Sequence, residues 1–379
     1  MSIQPGQKAG SYVQPGFERF DQKNNLIYLG DWNPDFGGLT FEEQKSNRTK
    51  LMERGVPGYG PLDWALYMAT TTNIAATSFE INTSDVGGTS WSAIPRSESG
   101  LEVRHGAFPE WDGSAVQNTA IVKNIAKLLG AGDVGICELD RQFVYSRYYD
   151  RSKKTSFPIC FSDEPGYEQF TAPTSLPDGV KVIPASMKYA IVMIFPMERA
   201  GVMTAPVLTH SATTFLSYSQ ISYTTMAMAE FLRGLGRHAI PSSNDLALNV
   251  PLAIDAGLGE PTRNDKIAHP VYGTCCRIAK VITDLPLEAD SPITFGVVEK
   301  CKSCGVCAER CPSGAISKDA DMSVHPRGLY SHQKVRQWPM EHDKCRRQWV
   351  KVGTNCGVCI ASCPLNQPFK CTPGEYWGN

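Results

Sequence analysis

The chain has 379 residues, enough for two or three domains, and its hydrophobic content of 42% supports real cores. A formal net charge of −1 leaves no basic excess of the kind that announces a nucleic-acid binder. No run of about eighteen apolar residues occurs, so no membrane-spanning helix is predicted.

Residues 1–110 read as an irregular wrapping segment, with aromatics separated by Pro and Gly, as in Tyr28-Leu-Gly-Asp-Trp32-Asn-Pro-Asp-Phe36. The first residues carry neither an apolar signal core nor a twin arginine. Regular structure starts later. Ile121, Ile125 and Leu128 at helical spacing predict a helix over 115–129, stopped by Gly130. Strands are predicted over 134–139 and 189–195. The second is a continuous apolar run closed by Pro196, as expected when both faces are buried. A long helix over 211–235 ends at Gly236, followed by a short strand at 238–240, a helix over 250–256 and a strand over 277–283. This alternation predicts an α/β core with helices packed on a sheet.

The last eighty or so residues hold eight of the thirteen cysteines, in two runs that each end in Cys-Pro. The first, Cys301-x2-Cys304-x2-Cys307-x3-Cys311-Pro312, has the bacterial ferredoxin spacing for [4Fe–4S] clusters. The second is split, with Cys345 ahead of Cys356-x2-Cys359-x3-Cys363-Pro364. In two-cluster ferredoxins the Cys of the Cys-Pro step ligates the other cluster. Cluster one then takes Cys301, Cys304, Cys307 and Cys363, and cluster two takes Cys345, Cys356, Cys359 and Cys311. Zinc also uses paired C-x2-C elements, but it does not call for terminal Cys-Pro steps. Disulfides suit an oxidising compartment. The remaining cysteines (Cys137, Cys160, Cys275, Cys276 and Cys371) read as buried apolar residues. The seven histidines show no i, i+4 pair and no His-Glu-x-x-His. Single-electron transfer is the chemistry these runs predict.

Three further stretches carry a resemblance. They are Phe231-Leu-Arg-Gly-Leu-Gly-Arg-His-Ala-Ile-Pro-Ser-Ser-Asn244-Asp, Val250-Pro-Leu-Ala-Ile-Asp-Ala-Gly-Leu-Gly-Glu260 and Arg277-Ile-Ala-Lys-Val-Ile-Thr-Asp-Leu-Pro286. Together with the split cluster motif they resemble the reductive dehalogenases, in order, over roughly residues 110–365. The resemblance implies an α/β (α+β) nitroreductase-like corrinoid-binding core followed by a two-[4Fe–4S] ferredoxin-like unit. The expected divisions are 1–110 (wrapping segment), 111–291 (core) and 292–379 (cluster unit and tail). It also implies a cobalamin-type corrinoid held base-off, with no protein ligand below the cobalt. Electrons pass through the clusters to the cobalt, and a halogen of a small chlorinated hydrocarbon is replaced by hydrogen.

In similar enzymes the proton donor is a tyrosine assisted by a cation. A free tyrosine has a pKa of about 10, so a neighbouring positive charge eases its deprotonation. Tyr218 fits that position and Tyr223 is its competitor; Arg277 matches the cation and Asn244 the polar group facing the halide. Arg277 also reads as a surface arginine at a strand start, and Asn244 as an Asx-turn residue. Ser242, Tyr223, Phe36, Trp91 and Trp338 are candidate cofactor- or pocket-facing residues, though any one aromatic is more often core. Gly257 and Gly259 either admit backbone to the corrinoid or cap a helix.

The expected partners are a small halogenated substrate, an electron donor protein or quinol-linked chain, a small membrane anchor and further copies in an oligomer, with no nucleic acid. The expected location is the outer face of the cytoplasmic membrane as a mature form, or the cytoplasm if no leader exists. Two other readings stand beside this one: an epoxyqueuosine reductase acting on tRNA, and an electron carrier whose core only docks partners.

Overall fold

The computed structural model describes residues 2–64, 66, 67, 70, 111–151, 153–327 and 332–366. Trp91 and Cys371 lie outside the described residues. The wrapping segment is less irregular than its composition suggests, because it holds a helix, α1 (Phe41–Glu53). Thr40 caps it, its hydroxyl accepting from the Glu43 amide at 3.1 Å.

The core begins with α2 (Ala115–Leu128), closed at its start by a Ser114/Gln117 capping box, and β1 (Asp133–Glu138). Four short strands follow: β2 (Arg147–Asp150), β3 (Thr155–Phe161), β4 (Thr174–Ser175) and β5 (Lys181–Ile183). They form a side sheet in the order β2-β3-β5-β4, which the sequence patterns did not predict. Then come β6 (Tyr189–Pro196), α3 (Leu208–Gly234), β7 (Ala239–Ser242), α4 (Asn249–Asp255) and β8 (Cys276–Thr283).

The central sheet has the order β1-β6-β8-β7, and every neighbouring pair is antiparallel. Helices do cover this sheet, but the parallel arrangement that strand–helix alternation usually signals is not what forms. β6 explains the layering. Ile191, Met193 and Phe195 meet Ile221, Met228 and Leu232 of α3 on one face. Ala190, Val192 and Ile194 meet Leu252, Ala253 and Ile254 of α4 on the other. Each such large side chain contributes about 1.5–3 kcal/mol by leaving water.

The cysteine-rich unit consists of short helices: α5 (Val297–Cys304), α6 (Val306–Glu309), α7 (His342–Val352) and α8 (Val358–Ala361). The N-terminal segment binds both parts. Gln4–Pro5 pairs antiparallel with Ile293–Thr294, and the Ala9 amide donates to Asp255 Oδ1 at 2.6 Å. Among the described residues no helix is long and apolar enough to cross a membrane.

Candidate active site

Core and cysteine-rich unit enclose a cavity of about 390 Å³. Three elements bring Tyr218, Asn244 and Arg277 to it: α3, the loop after β7, and β8. The Asn244 side-chain amide donates to the Tyr218 hydroxyl at 2.7 Å. The Arg277 guanidinium sits 5.7 Å from the Tyr218 ring centroid, and its Nη2 donates to Thr214 Oγ1 at 3.1 Å. Its buried Nε has no hydrogen-bond partner among the described residues. A half-buried cation with a spare donor at a cavity wall can stabilise negative charge forming there.

His210, Thr214 and Tyr218 follow one another at four-residue steps, so α3 presents them along one face. His210 is fully buried and donates from Nδ1 to the Val202 carbonyl, 3.2 Å away. Burial, then the charge of Arg277, push it down to about 4, which keeps the ring neutral near pH 7. Its other nitrogen abuts Gly357 between Cys356 and Cys359. A Cβ on that residue would stand 1.9 Å from His210 Nε2, and its φ of +66° is in the left-handed region. Glycine there lets the second cysteine run lie against α3.

Behind Asn244 the loop is tied to β8. Lys280 is fully buried on the same strand face as Ile278 and Ile282. Its ammonium donates to the carbonyls of Ser243, Asp245 and Ala247 at 3.0, 2.7 and 3.0 Å, and to Asn249 Oδ1 at 2.8 Å. Burial pulls it down to about 7 against the opposing charge of Asp245. The loop coils around this nitrogen, with Leu246 held at φ +69°, a conformation costing roughly 1–2 kcal/mol for a residue with a Cβ.

The cysteines divide into two sets. Cys301, Cys304, Cys307 and Cys363 line one small cavity with Arg263. Cys311, Cys345, Cys356 and Cys359 line the wall of the larger one. Twelve cysteines are free among the described residues. Burial, reinforced by neighbouring thiols, pushes Cys307 up to about 12, and burial does the same to Cys356. Thiolates there need a cationic centre to balance their charge. At Cys311 burial also raises, but the Ser313 hydroxyl and the amides of Ser313, Ala315 and Ile316 together hold the thiol low. Two sets of four cysteines lining neighbouring cavities match the ligand count of two [4Fe–4S] clusters, and the Arg277 Nε, unpartnered among the described residues, suits a bound anionic or polarisable group on the cavity wall.

The other expected residues divide. Trp338 is buried at the cavity wall, its indole donating to the Ala320 carbonyl at 3.1 Å. Tyr223 is 63% exposed, on a different face of α3 from Tyr218. Ser242 does not line the cavity; its hydroxyl closes the turn by donating to the Asp245 carbonyl at 2.7 Å. Phe36 lies beneath the Arg347 guanidinium and off the cavity. Gly257 and Gly259 serve backbone packing, against the carbonyls of Ser291 and Ala268. Lys280, Asn249 and His210 were not singled out from sequence. Only Lys280 leaves a local signal, as a lone charge inside Ile278-Ala-Lys-Val-Ile282.

Residues 46–287 match the model of the reductive dehalogenase subunit family. The chain belongs to the reductive dehalogenase family. Residues 300–366 match the 4Fe–4S double cluster binding domain. The chain is 35% identical over 272 residues to the tetrachloroethene reductive dehalogenase of Sulfurospirillum multivorans, covering 69% of this chain and 52% of that one. A tetrachloroethene reductive dehalogenase of Desulfitobacterium hafniense is 33% identical over 270 residues, 67% of this chain and 49% of that one. This dehalogenase-family chain thus spans about half the length of these curated relatives. Its fold matches the solved catabolic reductive dehalogenase NpRdhA with a TM-score of 0.65 at 20% identity, over 97% of this chain and 44% of that one. Another solved reductive dehalogenase of this fold, 20% identical with a TM-score of 0.63, is described as carrying out B12-dependent dehalogenation.

Proposed function

We propose that this chain is the catalytic part of a reductive dehalogenase that replaces a chlorine of a chloroethene by hydrogen, in a nitroreductase-like core. The observation that carries the reading is the meeting of Tyr218, Asn244 and Arg277 at a cavity whose other wall holds Cys311, Cys345, Cys356 and Cys359. The balance is R–Cl plus two electrons and one proton giving R–H and chloride.

A corrinoid bound between the residues lining this cavity would supply low-valent cobalt chemistry toward a carbon–halogen bond. The protein's part is protonation, charge and exclusion of water. Tyr218 gives its hydroxyl proton to the carbon that loses chlorine. Arg277 stabilises the phenolate left behind and the departing chloride. Asn244 keeps a donor on the Tyr218 oxygen before and after the proton leaves. Phe20, Ile254 and Ile278 give the cavity an apolar wall that suits a halocarbon. The two cysteine sets would hold [4Fe–4S] clusters, with Cys311 and Cys363 as the exchanged ligands, and these would supply one-electron transfer. A donor protein or quinol-linked chain, a small membrane anchor and a cell-envelope location complete this reading.

The test is metal analysis with chloride release from tetrachloroethene under a low-potential reductant. Protein made anaerobically with corrinoid supplied should hold about eight irons and about one cobalt per chain. Tyr218→Phe should nearly abolish chloride release with both metals retained. Full activity in cobalt-free protein would overturn the reading.

A further inference from the structure

We propose that Lys280 is a positioning residue whose ammonium sets the direction of a hydrogen-bond chain ending at the Tyr218 hydroxyl. An ammonium has three donors and no acceptor, so the Asn249 atom 2.8 Å from Lys280 Nζ is the carbonyl oxygen. The Asn249 NH2 group is thereby turned the other way, where it donates to the Ser243 carbonyl at 2.9 Å, the Ile278 carbonyl at 3.1 Å and Asn244 Oδ1 at 3.1 Å. With its oxygen occupied, Asn244 presents its own NH2 to Tyr218 Oη, 2.7 Å away. Every bond in the series runs one way, from Lys280 through Asn249 and Asn244 to Tyr218.

Direction matters because a side-chain amide can present either end. Turned over, Asn244 would offer an oxygen, and Tyr218 would spend its proton on that oxygen. As observed, Tyr218 Oη accepts from Asn244, so its own O–H is directed elsewhere. A phenolate formed at Tyr218 would meet a donor rather than a lone pair. The burial of Lys280 makes the arrangement durable. It sits at 0% exposure between the partners Val192 and Ser242 on neighbouring strands, with four oxygens around its nitrogen. A lysine on an otherwise apolar strand face is retained only where something pairs it.

The value of the chain for catalysis rests on the reading of Tyr218 as proton donor; its direction does not. The experiment therefore reads both. In protein labelled with ζ-¹³C-tyrosine, the phenol C–O stretch of Tyr218 is isolated as the infrared difference against Tyr218→Phe. Two variants are compared, Lys280→Met and Asn249→Asp. The second keeps an acceptor for Lys280 but removes the donor to Asn244, so it reverses the last two bonds while leaving the ammonium paired.

In both variants the Tyr218 band should move from that of an accepting phenol to that of a donating one. Iron and cobalt contents should stay at wild-type levels, and kcat for chloride release should fall about 10- to 100-fold with little change in KM. An unmoved band in folded, metal-replete protein of either variant overturns the proposal: in Lys280→Met it denies that the ammonium sets the direction, and in Asn249→Asp it denies the chain itself, which that variant alone decides if Lys280→Met does not fold. A moved band with undiminished chloride release upholds the chain and overturns Tyr218 as proton donor.

Discussion

The Arg263 guanidinium donates to the Cys301 carbonyl through Nη2 at 2.6 Å and Nε at 3.1 Å. It also donates to the Ser317 carbonyl at 3.0 Å, lies over the Trp338 ring and is almost wholly buried. One buried cation thus fastens the last turn of α5, which carries Cys301 and Cys304, and faces the cavity that the first cysteine set lines. Cluster potentials follow local charge and solvent access, so removing this charge should make reduction harder. In Arg263→Met the midpoint potential of the first cluster should fall by roughly 50–100 mV, from a Coulomb energy at an effective dielectric near 20. An anaerobic redox titration followed by EPR measures it. An unchanged midpoint with full iron content would show that Arg263 only braces the end of α5.

Cys363 belongs spatially with Cys301, Cys304 and Cys307, although the other cysteines of its own run face the larger cavity. Cys363→Ser should therefore damage the first cluster and spare the second. About half the iron should be lost or labile, and the EPR signal that remains should be the one insensitive to Arg263→Met. Loss of the other signal would mean that each run closes on its own cluster.

What was legible in the sequence divides along physical lines. β6 could be read because a strand buried on both faces is one unbroken apolar run, and it occupies Tyr189–Pro196 almost as predicted. α3 could be read too, although it begins one turn early, just after Pro206 and Val207. α1 could not. It docks through polar side chains, with Asn47 and Arg48 donating to the carbonyls of Val350 and Gly353, so it has no apolar stripe to detect. Thr40 and Glu43 carried the one visible hint. The side sheet β2–β5 was hidden because three of its strands are only two to four residues long and the seven-residue β3 is mostly half-exposed. Tyr218, Asn244 and Arg277 were marked by family resemblance alone, because no local period relates a helix, a loop and a strand. Lys280 leaves a local signal as a lone charge in an apolar run, but three of its four partners are backbone carbonyls, which no residue pattern announces.

Glu260 caps the first cluster helix from outside. α5 starts after Gly296, which has no side chain to offer its first amides. Glu260 Oε2 accepts instead from the amides of Phe295 and Val297 at 2.6 and 3.1 Å, while Oε1 accepts from Thr294 Oγ1 at 2.9 Å. A carboxylate there also suits the positive end of the helix. Glu260→Ala should cost about 1–2 kcal/mol of local stability. Iron release to a chelator should quicken several-fold, with a biphasic time course in which only the first cluster responds. Uniform loss from both clusters would assign Glu260 to the fold as a whole.

Arg346 follows Cys345 on α7, and its side chain is fully buried beneath the wrapping segment. Its Nε donates to the Leu39 carbonyl at 3.1 Å, its Nη1 to Gln44 Oε1 at 2.7 Å, and its guanidinium lies over the Phe41 ring. Burial pulls this group down to about 10, and the nearby charge of Arg151 adds to that, so the site tolerates a cation only through these contacts. Arg346→Met keeps the stem volume but leaves the Leu39 carbonyl and the Gln44 amide without their donor, a loss of about 2–3 kcal/mol. The effect should be local, because among the described elements α1 packs chiefly on α7. Limited proteolysis should cut within residues 39–53 in the variant and not in the parent. Cluster two should become the more labile of the two, since Cys345 shares a turn of α7 with the lost contact. Protection of 39–53 equal to the parent's would show that Asn47 and Arg48 suffice to hold the segment.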